Sequence, residues 1–303
     1  MLSPIQLSLF KNALESLVDE MALTIVRTAY STTLKNAMDF STGLCDKNGA
    51  LIAQGLCIPL HLGSLPDGMV AILNKYEANI NEGDLFILND PYEGGTHLPD
   101  IYLYKPVFLD EELLGFLATI AHHADIGGRV AGGNACDSTE IYQEGLRIPP
   151  LKLYESGKPV QAIFDVIDRN VRIPRNVLGD LRAQLAACHI GERALRKLAQ
   201  EYGIDRLSQG FHQLLDYSEQ LTRSEIADFP DGTYSFTDHI DDDGIDPEPI
   251  PITVTLTVSG DRLKADFTGT SPQVKGAINC TLSFTKSVVY GCLRSVMKSD
   301  IPT

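Results

Sequence analysis

The chain has 303 residues, 44% of them hydrophobic, and its 40 acidic against 25 basic side chains give a formal net charge of −15 at pH 7. That balance repels nucleic-acid phosphates, and no basic stripe offsets it. The longest uncharged run, 48–66, carries Gln54, Pro59, His61 and three glycines, so it does not read as a membrane span.

The length fits about two domains. No basic region precedes an apolar stretch at the N-terminus, which predicts a cytoplasmic protein rather than a secreted one. Six cysteines (Cys45, Cys57, Cys136, Cys188, Cys280, Cys292) are scattered without C-x-x-C pairing, the pattern of reduced core residues. Ser3-Pro4 opens a helix to about Tyr30, with Leu7, Phe10, Leu14, Leu17, Met21 and Ile25 as its apolar stripe. Lys47-Asn48-Gly49 between two strand-like runs predicts a hairpin over Thr42–Asp46 and Ala50–Gln54. His61 precedes a helix predicted from Ser64 to Tyr76 and is a candidate substrate contact. A short strand over 84–88 then feeds Asn89-Asp90-Pro91.

Two strand-like runs follow, Ile101–Phe108 and Leu113–Ala121, joined by the acidic link 109–112. A turn centred between Asp110 and Glu111 places Asp100 opposite Ala121, Pro99 opposite His122 and Leu98 opposite His123. Segments rich in ligand atoms therefore meet at one end of one hairpin. His97 and Asp100 offer an imidazole and a carboxylate, and His122 or His123 a second imidazole. This mixed nitrogen and oxygen set suits zinc, manganese or iron and leaves coordination positions open. Because neighbouring strand residues point to opposite faces, one histidine is expected at the metal and the other near the substrate or behind a ligand. We assign His122 to the metal and keep His123 and Asp125 as catalytic candidates.

The glycine pairs at 94–95, 127–128 and 132–133 permit close backbone approach. None forms a phosphate loop, since neither a G-x-x-x-x-G-K-[ST] nor a strand-to-helix G-x-G-x-x-G occurs. The loop 137–150 could cover the site, with Glu140 or Glu144 as an acid/base and Arg147 as a clamp for a substrate anion; the competing reading is a solvated acidic loop. Helical patterning fills 159–203, ending at Gly203, and about 204–226. After Phe229-Pro230-Asp231-Gly232, strands are predicted over 234–240, 252–258 and 263–268. The acid-rich stretch 239–248 departs from the EF-hand pattern and reads as a solvated loop. A last helix spans about 282–297. Together these elements predict an α+β fold of antiparallel or mixed sheets with covering helices. The divisions are a metal-site domain over 1–158, a helical segment over 159–228 and a smaller β-rich domain over 229–303.

The segments THLPDIYLYKPVF, AHHADIGG, STEIYQEGLRIPPLKLY and NVLGDLRAQLAACHIGERAL resemble the B subunit of the hydantoinase/oxoprolinase family, which includes N-methylhydantoinase, 5-oxoprolinase and the acetone and acetophenone carboxylases. The resemblance implies a metal-dependent half-enzyme whose A-type partner, with an actin-like nucleotide fold, supplies the ATP chemistry of a hetero-oligomer. The implied reaction is hydrolytic ring opening of a hydantoin, oxoproline or lactam. The alternatives are carboxylation of a ketone and a truncated, non-catalytic interaction subunit. Relatives carry a glutamate where Asn36 stands, which makes Asp39 the nearest acidic substitute for a further ligand. They also continue well beyond Thr303, so the last helix is expected to leave apolar surface uncovered.

Overall fold

Ser3 sets the first helix. Its hydroxyl accepts from the Gln6 N–H while the Gln6 side chain accepts from the Ser3 N–H, closing a capping box on α1 (Pro4–Thr28). The computed structural model describes residues 2–55, 58–299 and 301–302. Phe10, Leu14, Leu17, Met21 and Ile25, spaced three and four apart, are all buried along one side of α1. A single turn of helix, α2 (Thr32–Lys35), leads into the main sheet.

That sheet has seven strands: β1 (Phe40–Asp46), β2 (Leu51–Gln54), β3 (Leu85–Leu88), β4 (Asp100–Leu109), β5 (Glu112–His122), β6 (Leu151–Glu155) and β7 (Lys158–Pro159). Their order is β2-β1-β5-β4-β3-β6-β7, with every neighbouring pair antiparallel. Helices cover both faces, so β4 and β5 are nearly continuous apolar runs. Leu44, Leu117 and Ala121 pack on α1 and α5 (Pro174–Tyr202), and Ile101 and Leu103 pack further along α5. Cys45, Phe86, Tyr102, Tyr104, Phe116 and Ile120 point the other way, onto α3 (Ser64–Tyr76). The helix α4 (Gln161–Asn170) packs against α5, and α6 (Ile204–Ala227) lies beside α1, where Phe10 meets Phe211 with ring centroids 5.9 Å apart. One core thus runs across residue 158 and joins the expected helical segment to the sheet it covers. The strands β6 and β7 extend that sheet between the expected loop 137–150 and the helical stretch, where the sequence reading placed no strand.

The hairpin of β4 and β5 turns on Asp110 and Glu111, both left-handed (φ 50° and 67°), the geometry a two-residue hairpin needs to match strand twist. At the tip the pairing is as expected, with Phe108 facing Leu113. A bulge then leaves Leu114 unpaired, Val107 faces Gly115, and at the far end Asp100 faces His122 rather than Ala121. This one-residue shift corrects the register expected from the turn alone.

A second antiparallel sheet comprises β8 (Gly232–Ile240), β9 (Ile250–Ser259) and β10 (Arg262–Asp266), in the order β10-β9-β8. Strict alternation puts Tyr234, Phe236, Ile252, Val254 and Leu256 on one face and Thr233, Ser235, Thr253, Thr255 and Thr257 on the other. The acidic stretch before β9 is anchored rather than wholly solvated. Asp243 is buried and accepts from the N–H groups of Ile245, Asp246 and Gly276. The final helix, α7 (Leu282–Val296), returns to the α3 side of the main sheet. Among the cysteines, Cys45 and Cys188 are buried as expected, whereas Cys136, Cys280 and Cys292 are exposed; Cys57 lies outside the described residues. Among the described residues no helix is long and apolar enough to cross a membrane.

Candidate metal centre

Asp100 opens β4 and His122 closes β5, so the register places them face to face on the α3 side of the sheet. The chain reaches Asp100 through a tight turn, Pro91–Glu93, followed by Gly94 at φ 93°. A Cβ on Gly94 would lie 2.4 Å from the backbone of Asp67 and Gly68, so only glycine fits. This turn delivers Thr96 and His97 onto the Asp100 carboxylate. Asp100 Oδ2 accepts from Thr96 Oγ1, lies 2.8 Å from His97 Nδ1 and lies 3.4 Å from His61 Nε2. Asp100 Oδ1 is 3.4 Å from His122 Nδ1 but is buried without a hydrogen bond among the described residues. One ligand atom each from His97, Asp100 and His122 lies within 4.8 Å of the others. Two imidazoles and a carboxylate at that spacing, with one carboxylate oxygen unsatisfied, fit a divalent cation.

The charges follow from this packing. Burial alone would raise the Asp100 carboxyl, but the imidazoles of His122, His61 and His97 gathered around it hold it well below the usual carboxylate range. Burial pulls His97 down, and its bond to Asp100 with the charges of Asp100, Asp39 and Glu144 more than reverses that. Glu144 is raised by burial, against the opposing charge of His97. A mostly buried anion is therefore ringed by imidazoles with two further carboxylates near the rim.

The remaining expected residues divide sharply. His61 joins the cluster from behind, its Nδ1 2.7 Å from Ser41 Oγ. Asp39 reaches within 3.8 Å of His122 Nδ1 and stays outside the group of three. His123 faces away: it is fully buried on the α5 side, its Nε2 3.0 Å from Gln184 Oε1. Because Gln184 Nε2 donates to the Ile101 carbonyl, Oε1 must accept, which puts the hydrogen on His123 Nε2. His123, kept as a catalytic candidate, is thus a packing and hydrogen-bonding residue of the opposite face. Asp125 is likewise occupied elsewhere, accepting from the Arg172 backbone and Nη1 and so fixing the glycine loop. Glu140 is exposed at the start of the Ile141–Gln143 turn. Arg147 donates through Nε to Asp90, at 2.6 Å, rather than facing the histidines. Asn36 ends α2 and is exposed.

A family model described as Hydantoinase B/oxoprolinase matches residues 3–303. The chain belongs to the hydantoinase B/oxoprolinase family. It is 36% identical to the ATP-dependent caprolactamase of Pseudomonas jessenii, whose crystal structure superposes with a TM-score of 0.93 over 99% of this chain and 52% of that one. The 5-oxoprolinase of Dictyostelium discoideum is 32% identical over 99% of this chain and 24% of its own length. A nucleotide-free acetone carboxylase structure, 19% identical, superposes with a TM-score of 0.91 over 98% of this chain and 41% of that chain, a likeness of fold. The chain spans about half the length of the caprolactamase subunit it matches.

In this hydantoinase B family member, α7 holds both approaches to the cluster, a role the sequence did not announce. Ser287 Oγ accepts from the Gly63 N–H at 2.8 Å, just beyond His61, and Ser283 Oγ donates to the Gly95 carbonyl at 2.7 Å, just before His97. Lys286 Nζ spans both oxygens of Asp67 at 2.8 and 2.9 Å. A Cβ on Gly63 would meet Lys286 Cβ and the Ser287 nitrogen at 2.8 Å. Ser41 and Thr96, which seat His61 and Asp100, were also not singled out in the sequence. Only their positions beside Phe40 and His97 could have pointed to them.

Proposed function

We propose that His97, Asp100 and His122 bind a divalent metal ion, zinc, manganese or iron. On this reading the chain is the metal-bearing B-type subunit of an ATP-dependent enzyme that hydrolyses a C–N bond of a cyclic amide such as a hydantoin, oxoproline or lactam. The observation that carries the reading is the buried Asp100 carboxylate, met by three imidazoles yet left with one unsatisfied oxygen. Family membership and the caprolactamase likeness support the substrate class. ATP would be handled by an A-type partner in a hetero-oligomer, consistent with a relative named as a beta subunit. The carboxylase alternative has support from fold alone.

A bound divalent ion supplies a Lewis acid that polarises a carbonyl. This chain's own residues then have separable tasks. Asp100 remains anionic because its imidazole partners favour that form. His61 and Thr96 orient its Oδ2. Glu144, whose carboxyl burial raises, would exchange a proton with substrate.

Metal content by mass spectrometry tests the assignment. The parent chain is expected to retain a stoichiometric ion, and His97→Ala and Asp100→Ala to lose it. His61→Ala is expected to weaken metal affinity roughly 10- to 100-fold, as for residues that orient a ligand. Stoichiometric metal in both ligand variants would remove the assignment.

A further inference from the structure

A second cleft, of about 510 Å³, is lined by Asp90, Gly128, Tyr142, Arg147 and their neighbours, and none of His97, Asp100 or His122 borders it. Its one cation is built in from three sides. Asp90, itself 3% exposed, takes the Arg147 Nε–H on Oδ2 at 2.6 Å and the Tyr92 N–H on Oδ1 at 3.0 Å. The Tyr92 ring lies 5.4 Å from the guanidinium carbon. Asn89 secures the backbone on either side of Arg147, donating to the Leu146 carbonyl and accepting from the Ile148 N–H. The side edge of the guanidinium is therefore engaged and its position set. Among the described residues Nη1 and Nη2 make no hydrogen bond, and the side chain is 37% exposed.

The facing wall is also fixed. Arg172 donates to the carbonyls of Gly127 and Gly128, so the glycine loop at the cleft is tied down. At the rim, Tyr92 and Tyr142 are 75% and 78% exposed, which leaves two large rings in water beside a fixed pair of donors. Paired coplanar N–H groups match a carboxylate, and exposed tyrosine rings match a flat apolar body. Each negative charge brought beside Asp90, in a chain that carries −15 overall, adds repulsion, so a dianion such as phosphate is disfavoured relative to a monoanion that the fork can grip.

We propose that this cleft binds a small ring-bearing monocarboxylate, held end-on by Nη1 and Nη2 of Arg147 with its ring against Tyr142. The site does not depend on a metal. Calorimetric titration of the full chain with benzoate, benzamide and inorganic phosphate tests it. The expected result is saturable benzoate binding, at least about tenfold weaker for benzamide and for phosphate. Arg147→Lys, which keeps the charge and loses the fork, is expected to weaken benzoate about tenfold. Tyr142→Ala, at an exposed side chain, should weaken it severalfold even if the arginine variant fails to fold. His97→Ala should leave benzoate binding unchanged, which separates this site from the metal reading. Equal affinity for benzoate and benzamide, phosphate binding as tight as benzoate, or no saturable benzoate binding at millimolar concentration would each overturn the proposal. So would indifference of benzoate binding to the folded variants.

Discussion

Asn89 carries more structure than its place in a loop suggests. Fully buried, its amide donates to the carbonyls of Leu98 and Leu146 at 2.7 and 2.9 Å and accepts from the Ile148 N–H at 2.6 Å. It thereby ties the approach to Asp100 to the segment carrying Arg147. Asn89→Ala strands buried backbone groups and is expected to cost about 3 kcal/mol, read as a lower urea midpoint; an unchanged midpoint would contradict this. Buried ionisable groups set a pH limit. Burial, with the charge of Asp46, pushes the Cys45 thiol up to about 12, and burial does the same to Cys188. The Tyr102 and Tyr104 phenols are raised by burial as well. Since these folded-state values exceed the unfolded ones, their contribution is full below about pH 9 and is lost as pH rises from there. Urea midpoints are expected to fall steadily from pH 9 to 11, with Cys45 and Cys188 resisting alkylation until the chain unfolds. At this scale the grouping of His97, Asp100 and His122 was legible because a strand's two-residue period separates His122 from His123. Asn89, Ser41 and Thr96 were not, since each acts through backbone or partner contacts that distant segments create.

Elements with strong local signals were read closely, as α3 shows: a helix expected from Ser64 to about Tyr76 spans those residues. The Asn48-Gly49 hairpin and the three late strands likewise follow turn chemistry and alternation. The strand β6 escaped notice because its only long partner, β3, lies more than sixty residues earlier, and pairing of that kind leaves little local trace. The role of α7 was equally silent, for its small hydroxyls bond backbone groups on two remote loops. Removing them together, as Ser283→Ala with Ser287→Ala, is expected to cost about 1 kcal/mol per hydrogen bond. It should also speed hydrogen exchange at residues 61–63 and 94–97 while leaving β5 protected. Uniform protection across those loops would show that α7 does not hold them.

Across the whole molecule, one face of the second sheet remains conspicuously apolar. Tyr234, Phe236 and Ile240 on its edge strand are 50%, 69% and 40% exposed, and among the described residues β8 has no strand beyond it. An open edge beside an apolar face favours association. Sedimentation velocity is expected to show concentration-dependent self-association, reduced by Phe236→Lys; identical profiles for the two proteins would exclude this surface. The sequence conveyed the amphipathic alternation of these strands but not that their apolar face stays open at β8, because exposure depends on what the other elements reach. The bulge at Leu114 has a practical corollary. Past it, β5 takes its alignment from β1 and β4 on either flank, while Asp110 and Glu111 sit ten residues away, roughly 34 Å along the ribbon. The tip is mechanically decoupled from the histidines and so offers a port where an epitope or fluorophore could be spliced in without retuning the chemistry.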